Sequence, residues 1–153
     1  FVTLKSEVGR GSTFRVHLPA VLSTKAADAP PALLPRPRGN GELILIVDDE
    51  PDVREVTAAI LAHHGYRVLP AVDGAEAVTL LAPRAQEVRV VVTDLQMPHL
   101  DGVSLASVVR RLNPEIQLIV MSGMDTHRAS EAVRSFAGAF LAKRFKAEDL
   151  LGA

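Results

Sequence analysis

Leu43-Ile44-Leu45-Ile46-Val47-Asp48-Asp49-Glu50-Pro51 decides how this chain folds. Five consecutive apolar residues leave no polar face, which suits a parallel strand covered on both sides. Two aspartates stand directly at its end. Pro51 then fits the first turn of a helix, where a missing amide donor costs nothing.

Working outward in the C-terminal direction, the same unit repeats. Val53, Val56, Thr57, Ile60 and Leu61 recur at helical spacing, and Gly65 can end that helix. Tyr66 to Leu69 reads as a second strand. Asp73 caps a helix with Glu76 three residues on, and Ala77, Val78, Leu80 and Leu81 form its buried side. Val88 to Thr93 is a third strand, ending at Asp94. A helix after Gly102 carries Leu105, Val108, Val109 and Leu112 on one face, and Asn113-Pro114 breaks it. Ile116 to Met121 is a fourth strand. A fourth helix is expected from about Thr126 to Phe136, stopped by Gly138. Ala139 to Ala142 is a fifth strand, and Glu148 to Leu151 begin a last helix. Five strands alternating with five helices predict an α/β fold, a doubly wound parallel sheet with right-handed crossovers. In such sheets ligands sit beyond the carboxyl ends of the strands.

Working outward in the other direction, residues 20–41 form a Pro/Ala-rich linker with Pro30, Pro31, Pro35, Pro37 and Gly39-Asn40-Gly41. Poor order or a strand-like arm is expected there. Residues 1–19 carry a β pattern, Val2 and Leu4 before and Phe14, Val16 and Leu18 after the turn signal Gly9-Arg10-Gly11-Ser12. This predicts an N-terminal β-hairpin. The chain opens on Phe1 rather than Met and reads as a piece of a longer polypeptide. Its 153 residues are 48% hydrophobic and 23% charged, ordinary for a globular protein. A net charge of -1 argues against nucleic acid as a partner. No apolar run approaches the roughly 20 residues of a membrane span, so no membrane contact is expected from this fragment. The absence of cysteine excludes disulfides and thiolate metal sites and fits a reducing, cytoplasmic setting.

The chemistry falls where the fold puts ligands. Asp48-Asp49, Asp94, Ser122 and Lys143 end four different predicted strands. Three carboxylates converging there repel unless a cation joins them, and hard oxygen donors suit Mg²⁺. One carboxylate can act as a nucleophile toward phosphorus. A lysine offers a point charge, and a serine hydroxyl can donate to a phosphoryl oxygen.

On these residues the chain resembles the response-regulator receiver family. The motifs are Ile46-Val47-Asp48-Asp49-Glu50-Pro51, Val92-Thr93-Asp94-Leu95-Gln96-Met97-Pro98 with Asp101-Gly102, Met121-Ser122-Gly123 and Leu141-Ala142-Lys143, spread over residues 42–153. The resemblance implies the flavodoxin-like strand order 2-1-3-4-5. It implies Asp94 as phosphoacceptor, taking a phosphoryl group from phosphohistidine on a histidine kinase or histidine phosphotransfer domain. It implies Mg²⁺ held by Asp49, Asp48, Asp94 and the backbone carbonyl of Gln96, with Ser122 and Lys143 on the phosphoryl group and Phe140 as the switch aromatic. Residues 6–14 with Val16-His17-Leu18-Pro19 are similar to the last hairpin of histidine-kinase ATP-binding domains. That implies a hybrid histidine kinase as the parent, while the fragment itself is not a kinase.

One departure stands out. Arg144 follows Lys143 where the family carries proline joined by a cis bond. Either a cis bond persists at a cost of about 3–4 kcal/mol, or the bond is trans and Lys143 moves. The competing readings are a degenerate receiver acting as a phosphate-independent interaction module, and an aspartyl-phosphate hydrolase. The second wants its nucleophile after the first strand with a second aspartate two residues on, whereas Asp48 is followed by Asp49 and Glu50, so the spacing is wrong. Phe140 taken alone is ordinary core. His63-His64 are adjacent on a helix, point apart, and read as surface and helix-end residues rather than a metal pair.

Overall fold

The computed structural model describes residues 2–7, 9, 11–17, 38–123 and 137–153. They fall into two units that divide between residues 34 and 35. The N-terminal unit contains an antiparallel hairpin of β1 (Val2–Glu7) and β2 (Gly11–Val16). Its register pairs Val2 with Val16 and Leu4 with Phe14, so the apolar residues share one face, and all of them are exposed. Gly9 and Gly11 take positive φ at the turn, a conformation glycine adopts without steric cost. Leu18 and the linker up to residue 37 lie outside the described residues.

The second unit is a parallel sheet of β3 (Leu43–Val47), β4 (Arg67–Ala71), β5 (Val88–Asp94), β6 (Gln117–Ser122) and β7 (Ala139–Ala142). Its order is β4-β3-β5-β6-β7, the expected 2-1-3-4-5. Helices α1 (Pro51–His63), α2 (Gly74–Leu81) and α3 (Gly102–Leu112) connect the strands, and a C-terminal helix spans Ala147–Gly152. The fourth helix expected near Thr126 to Phe136 lies outside the described residues.

β3 is buried along its whole length, and its two faces feed two separate cores. Leu43, Leu45 and Val47 pack with Ala77 and Leu81 of α2 and with Leu105 and Val109 of α3. Ile44 and Ile46 pack with Leu61 of α1 and Leu150 of the C-terminal helix. An apolar run without alternation is what a strand between two cores requires.

The second strand starts one residue later than the sequence predicts. Tyr66 is claimed by the end of α1, where its amide donates to Leu61 O at 3.1 Å while Gly65 N donates to Ala62 O at 3.1 Å. With Gly65 at φ 92, this is a Schellman closure. β4 then runs through Pro70, tolerated because β4 is the sheet's edge. Residues 39–41 are tied down here rather than loose. Gly39 N donates to His64 O at 2.9 Å and Gly41 N to Gly65 O at 3.0 Å. A Cβ on Gly65 would meet Gly39 O at 2.6 Å.

α2 and α3 begin with side-chain caps. Asp73 Oδ1 accepts from Glu76 N at 2.8 Å, and Asp101 Oδ1 from Ser104 N at 2.8 Å. Glu76 Oε2 reaches back to Val72 N, one residue before the position of a standard capping box. Gly102 starts α3 against the β5 end, where a Cβ would clash with the backbone oxygen of Asp94. Gly102→Ala must therefore shift backbone rather than a flexible side chain. It is expected to cost about 2 kcal/mol in urea denaturation, with the largest amide NMR perturbations at Asp94 and Leu95.

Candidate functional site

The chain leaves β3 toward β4 on one side and reaches β5 on the other, so the sheet's crossover switch lies beside β3. The carboxyl ends of β3 and β5 are thus neighbours, with Val47 paired to Thr93. Asp48 follows β3 and Asp94 closes β5. Beyond them Asp94 pairs with Met121, and Ser122 with Ala142, which brings the end of β7 alongside. Lys143 N donates to Ser122 O at 2.7 Å, and this fixes where the lysine departs.

The Lys143 side chain crosses back over the sheet edge. Its Nζ lies 2.6 Å from Asp94 Oδ2, 2.6 Å from Glu50 Oε1 and 3.3 Å from Asp48 Oδ2. The first two are charge-assisted hydrogen bonds. The third is an ionic contact without hydrogen-bond geometry, so Asp48 Oδ2 is a buried oxygen with no donor. Asp48 Oδ1 accepts from Glu50 N at 2.9 Å, and Asp94 Oδ1 from Gln96 N at 3.3 Å.

These surroundings shift two groups. Burial alone would lower the Lys143 ammonium, but hydrogen bonds to Asp94 and Glu50 and the charges of Asp94 and Asp48 outweigh it and hold it above the ordinary lysine value. Burial pushes the Asp48 carboxyl above its usual range, and the Glu50 amide and Lys143 offset this only in part.

Asp48, Asp94 and Lys143 converge, with Asp48 and Asp94 buried, and Ser122 is buried at the end of β6, where its carbonyl accepts from Lys143 N. Asp49 is exposed and lies outside the group of carboxylates whose oxygens fall within 4.8 Å of one another. That group is Asp48, Glu50 and Asp94. Glu50 is the residue sequence reading passed over. It stands last in an acidic run just before Pro51, at the N-cap position of α1, and the Asp48 carboxylate fixes its backbone beside the site. Phe140 is half-buried within β7, opposite Val120. Among the described residues no peptide bond is cis, and Arg144 turns the chain at φ 76. The trans bond leaves Lys143 within hydrogen-bond reach of Asp94. His63 and His64 stack edge to face at the end of α1, and His64 Nδ1 lies 2.8 Å from Ile60 O.

The donor set fits a hard divalent cation. It consists of the Asp48 and Asp94 carboxylates with Glu50 at the mouth, and Asp48 Oδ2 among them is buried with only an ionic contact to Lys143 and no hydrogen bond. No helix among the described residues is long and apolar enough to cross a membrane.

Residues 44–153 match the response regulator receiver domain family. The sensor kinase CckA of Brucella abortus (strain 2308) is 34% identical over 130 residues, covering 80% of this chain and 14% of that kinase. The response regulator MprA of Mycobacterium sp. (strain KMS) is 38% identical over 111 residues, covering 71% of this chain and 46% of the regulator. The solved receiver domain of the hybrid histidine kinase CckA superposes with a TM-score of 0.62 at 31% identity, over 72% of this chain and 93% of that one. The chain thus spans less than half the length of these curated relatives. Because the match runs from the first parallel strand through the last helix, the chain belongs to the response regulator receiver domain family of two-component signalling.

Proposed function

We propose that Asp94 is the phosphoacceptor of this receiver domain. The observation that carries the proposal is the 2.6 Å contact between Asp94 Oδ2 and the Lys143 ammonium, inside a carboxylate cluster at the sheet's carboxyl edge in which Asp48 and Asp94 are buried. A carboxylate oxygen of Asp94 attacks the phosphorus of a phosphohistidine. The phosphorus–nitrogen bond breaks as the oxygen–phosphorus bond forms, and the imidazole leaves with the electron pair. Lys143 is placed to follow the phosphoryl oxygens with its positive charge, and Ser122 stands on the neighbouring strand end to donate to one of them. Asp48 and Asp94, with Glu50 beside them, would hold Mg²⁺. The sequence assignment adds Asp49 and the carbonyl of Gln96. The cation supplies positive charge against the phosphoryl oxygens. Phosphorylation then shifts Ser122 and Phe140 and reshapes the surface around β7.

The donor is a histidine kinase or histidine phosphotransfer domain, and the setting is cytoplasmic. We read the parent as a hybrid histidine kinase whose ATP-binding domain ends in the β1–β2 hairpin. The match to the sensor kinase, which covers 80% of the chain against 71% for the response regulator, supports a kinase parent; the hairpin assignment rests on the sequence resemblance alone. A phosphate-independent docking role is disfavoured, because the substitution that raised it, Arg144, leaves the Lys143–Asp94 contact in place.

Addition of beryllofluoride with Mg²⁺ is expected to move the amide signals of Asp49, Ser122, Phe140 and Lys143, and Asp94→Asn is expected to abolish these shifts. An unresponsive wild type with an intact fold would overturn the phosphoacceptor reading. Asp48→Asn gives a second check. The folded state raises the Asp48 pKa, so its charged form destabilises the metal-free fold above that pKa, and the penalty fades as pH falls through it. The substitution is expected to raise metal-free stability at pH 7 by about 1 kcal/mol in urea while removing the stabilisation that added Mg²⁺ gives the wild type.

A further inference from the structure

Lys143 Nζ carries three protons and faces three carboxylates, yet it does not share itself evenly. Two acceptors hold it at 2.6 Å, while Asp48 Oδ2 stands at 3.3 Å without a hydrogen bond. The two short contacts pull from different depths. The Glu50 side chain is 60% exposed, whereas those of Asp94 and Asp48 are 7% and 0% exposed. The ammonium is therefore suspended between an acceptor at the mouth and one in the interior. The deepest carboxylate oxygen stays unserved as a result. Glu50 is well placed for this, since its own amide is held by Asp48 Oδ1 and Pro51 stiffens the chain directly after it.

We propose that Glu50 is a positioning residue that holds Lys143 Nζ toward the mouth of the site and so keeps Asp48 Oδ2 open to a divalent cation. The proposal rests on reading Asp48 and Asp94 as the cation-holding phosphoacceptor site. Without Glu50, the ammonium retains Asp94 and Asp48 as its carboxylate partners among the described residues. It settles between them and becomes an internal competitor for the place a cation would take. Glu50 thus acts through the lysine. A carboxylate that merely adds negative potential would act whether or not the lysine were there.

A double-variant cycle on the full chain separates these two roles. Mg²⁺ and Mn²⁺ affinities are measured by isothermal titration calorimetry for wild type, Glu50→Gln, Lys143→Met and the double variant. The ¹⁵N-detected ammonium signal of Lys143 is followed in metal-free protein. Glu50→Gln is expected to weaken cation binding about tenfold when Lys143 is present and less than about twofold in the Lys143→Met background. It is also expected to shift the ammonium signal before any metal is added. Glu50→Asp keeps the charge but shortens the reach, and should weaken binding as Glu50→Gln does. Equal losses in both lysine backgrounds, or full affinity in Glu50→Asp, would overturn the positioning role while leaving the phosphoacceptor reading intact. A wild type that takes up no divalent cation would overturn both.

Discussion

One ammonium group holds the carboxyl edge of this sheet together. Asp48 and Asp94 are brought there by adjacent parallel strands, and Glu50 follows at the start of α1. Three carboxylates within 4.8 Å repel one another, and water is largely excluded from two of them. Lys143 meets all three, and it comes from the opposite end of the strand series. The site therefore depends on the whole sheet being closed in register, from β3 to β7. Asp48 remains partly uncompensated even so, as its raised pKa records.

Much of this was legible in the sequence, for physical reasons that differ by element. The unbroken run Leu43 to Val47 announces a strand between two cores, and the structure distributes its residues between those cores by simple alternation. Asp94 and Lys143 were legible because each stands directly after an apolar strand, where the path of the chain leaves little freedom. Asp73 and Asp101 follow local capping rules that need no tertiary information.

What sequence missed depends on reach and competition. Glu50 belongs to a helix N-terminus, a place where acidic residues are common for reasons of dipole alone. Only the lysine arriving 93 positions later distinguishes it from an ordinary charged cap. Tyr66 looked like strand, but the closure at Gly65 uses its amide first. At Arg144 the sequence posed a choice between two backbone geometries. The chain resolves it with a left-handed residue, a conformation that costs a non-glycine about 1–2 kcal/mol.

The strap at Gly39–Gly41 has a mechanical meaning. It is fastened to the end of α1 at the amino edge of the sheet, the pole opposite the carboxylates. A pull applied at residue 38 would meet the Gly39–His64 and Gly41–Gly65 hydrogen bonds before it reached β3. The strap and the carboxylates are thus set apart by the whole of β3 and α1, so a pull on the one is not a pull on the other.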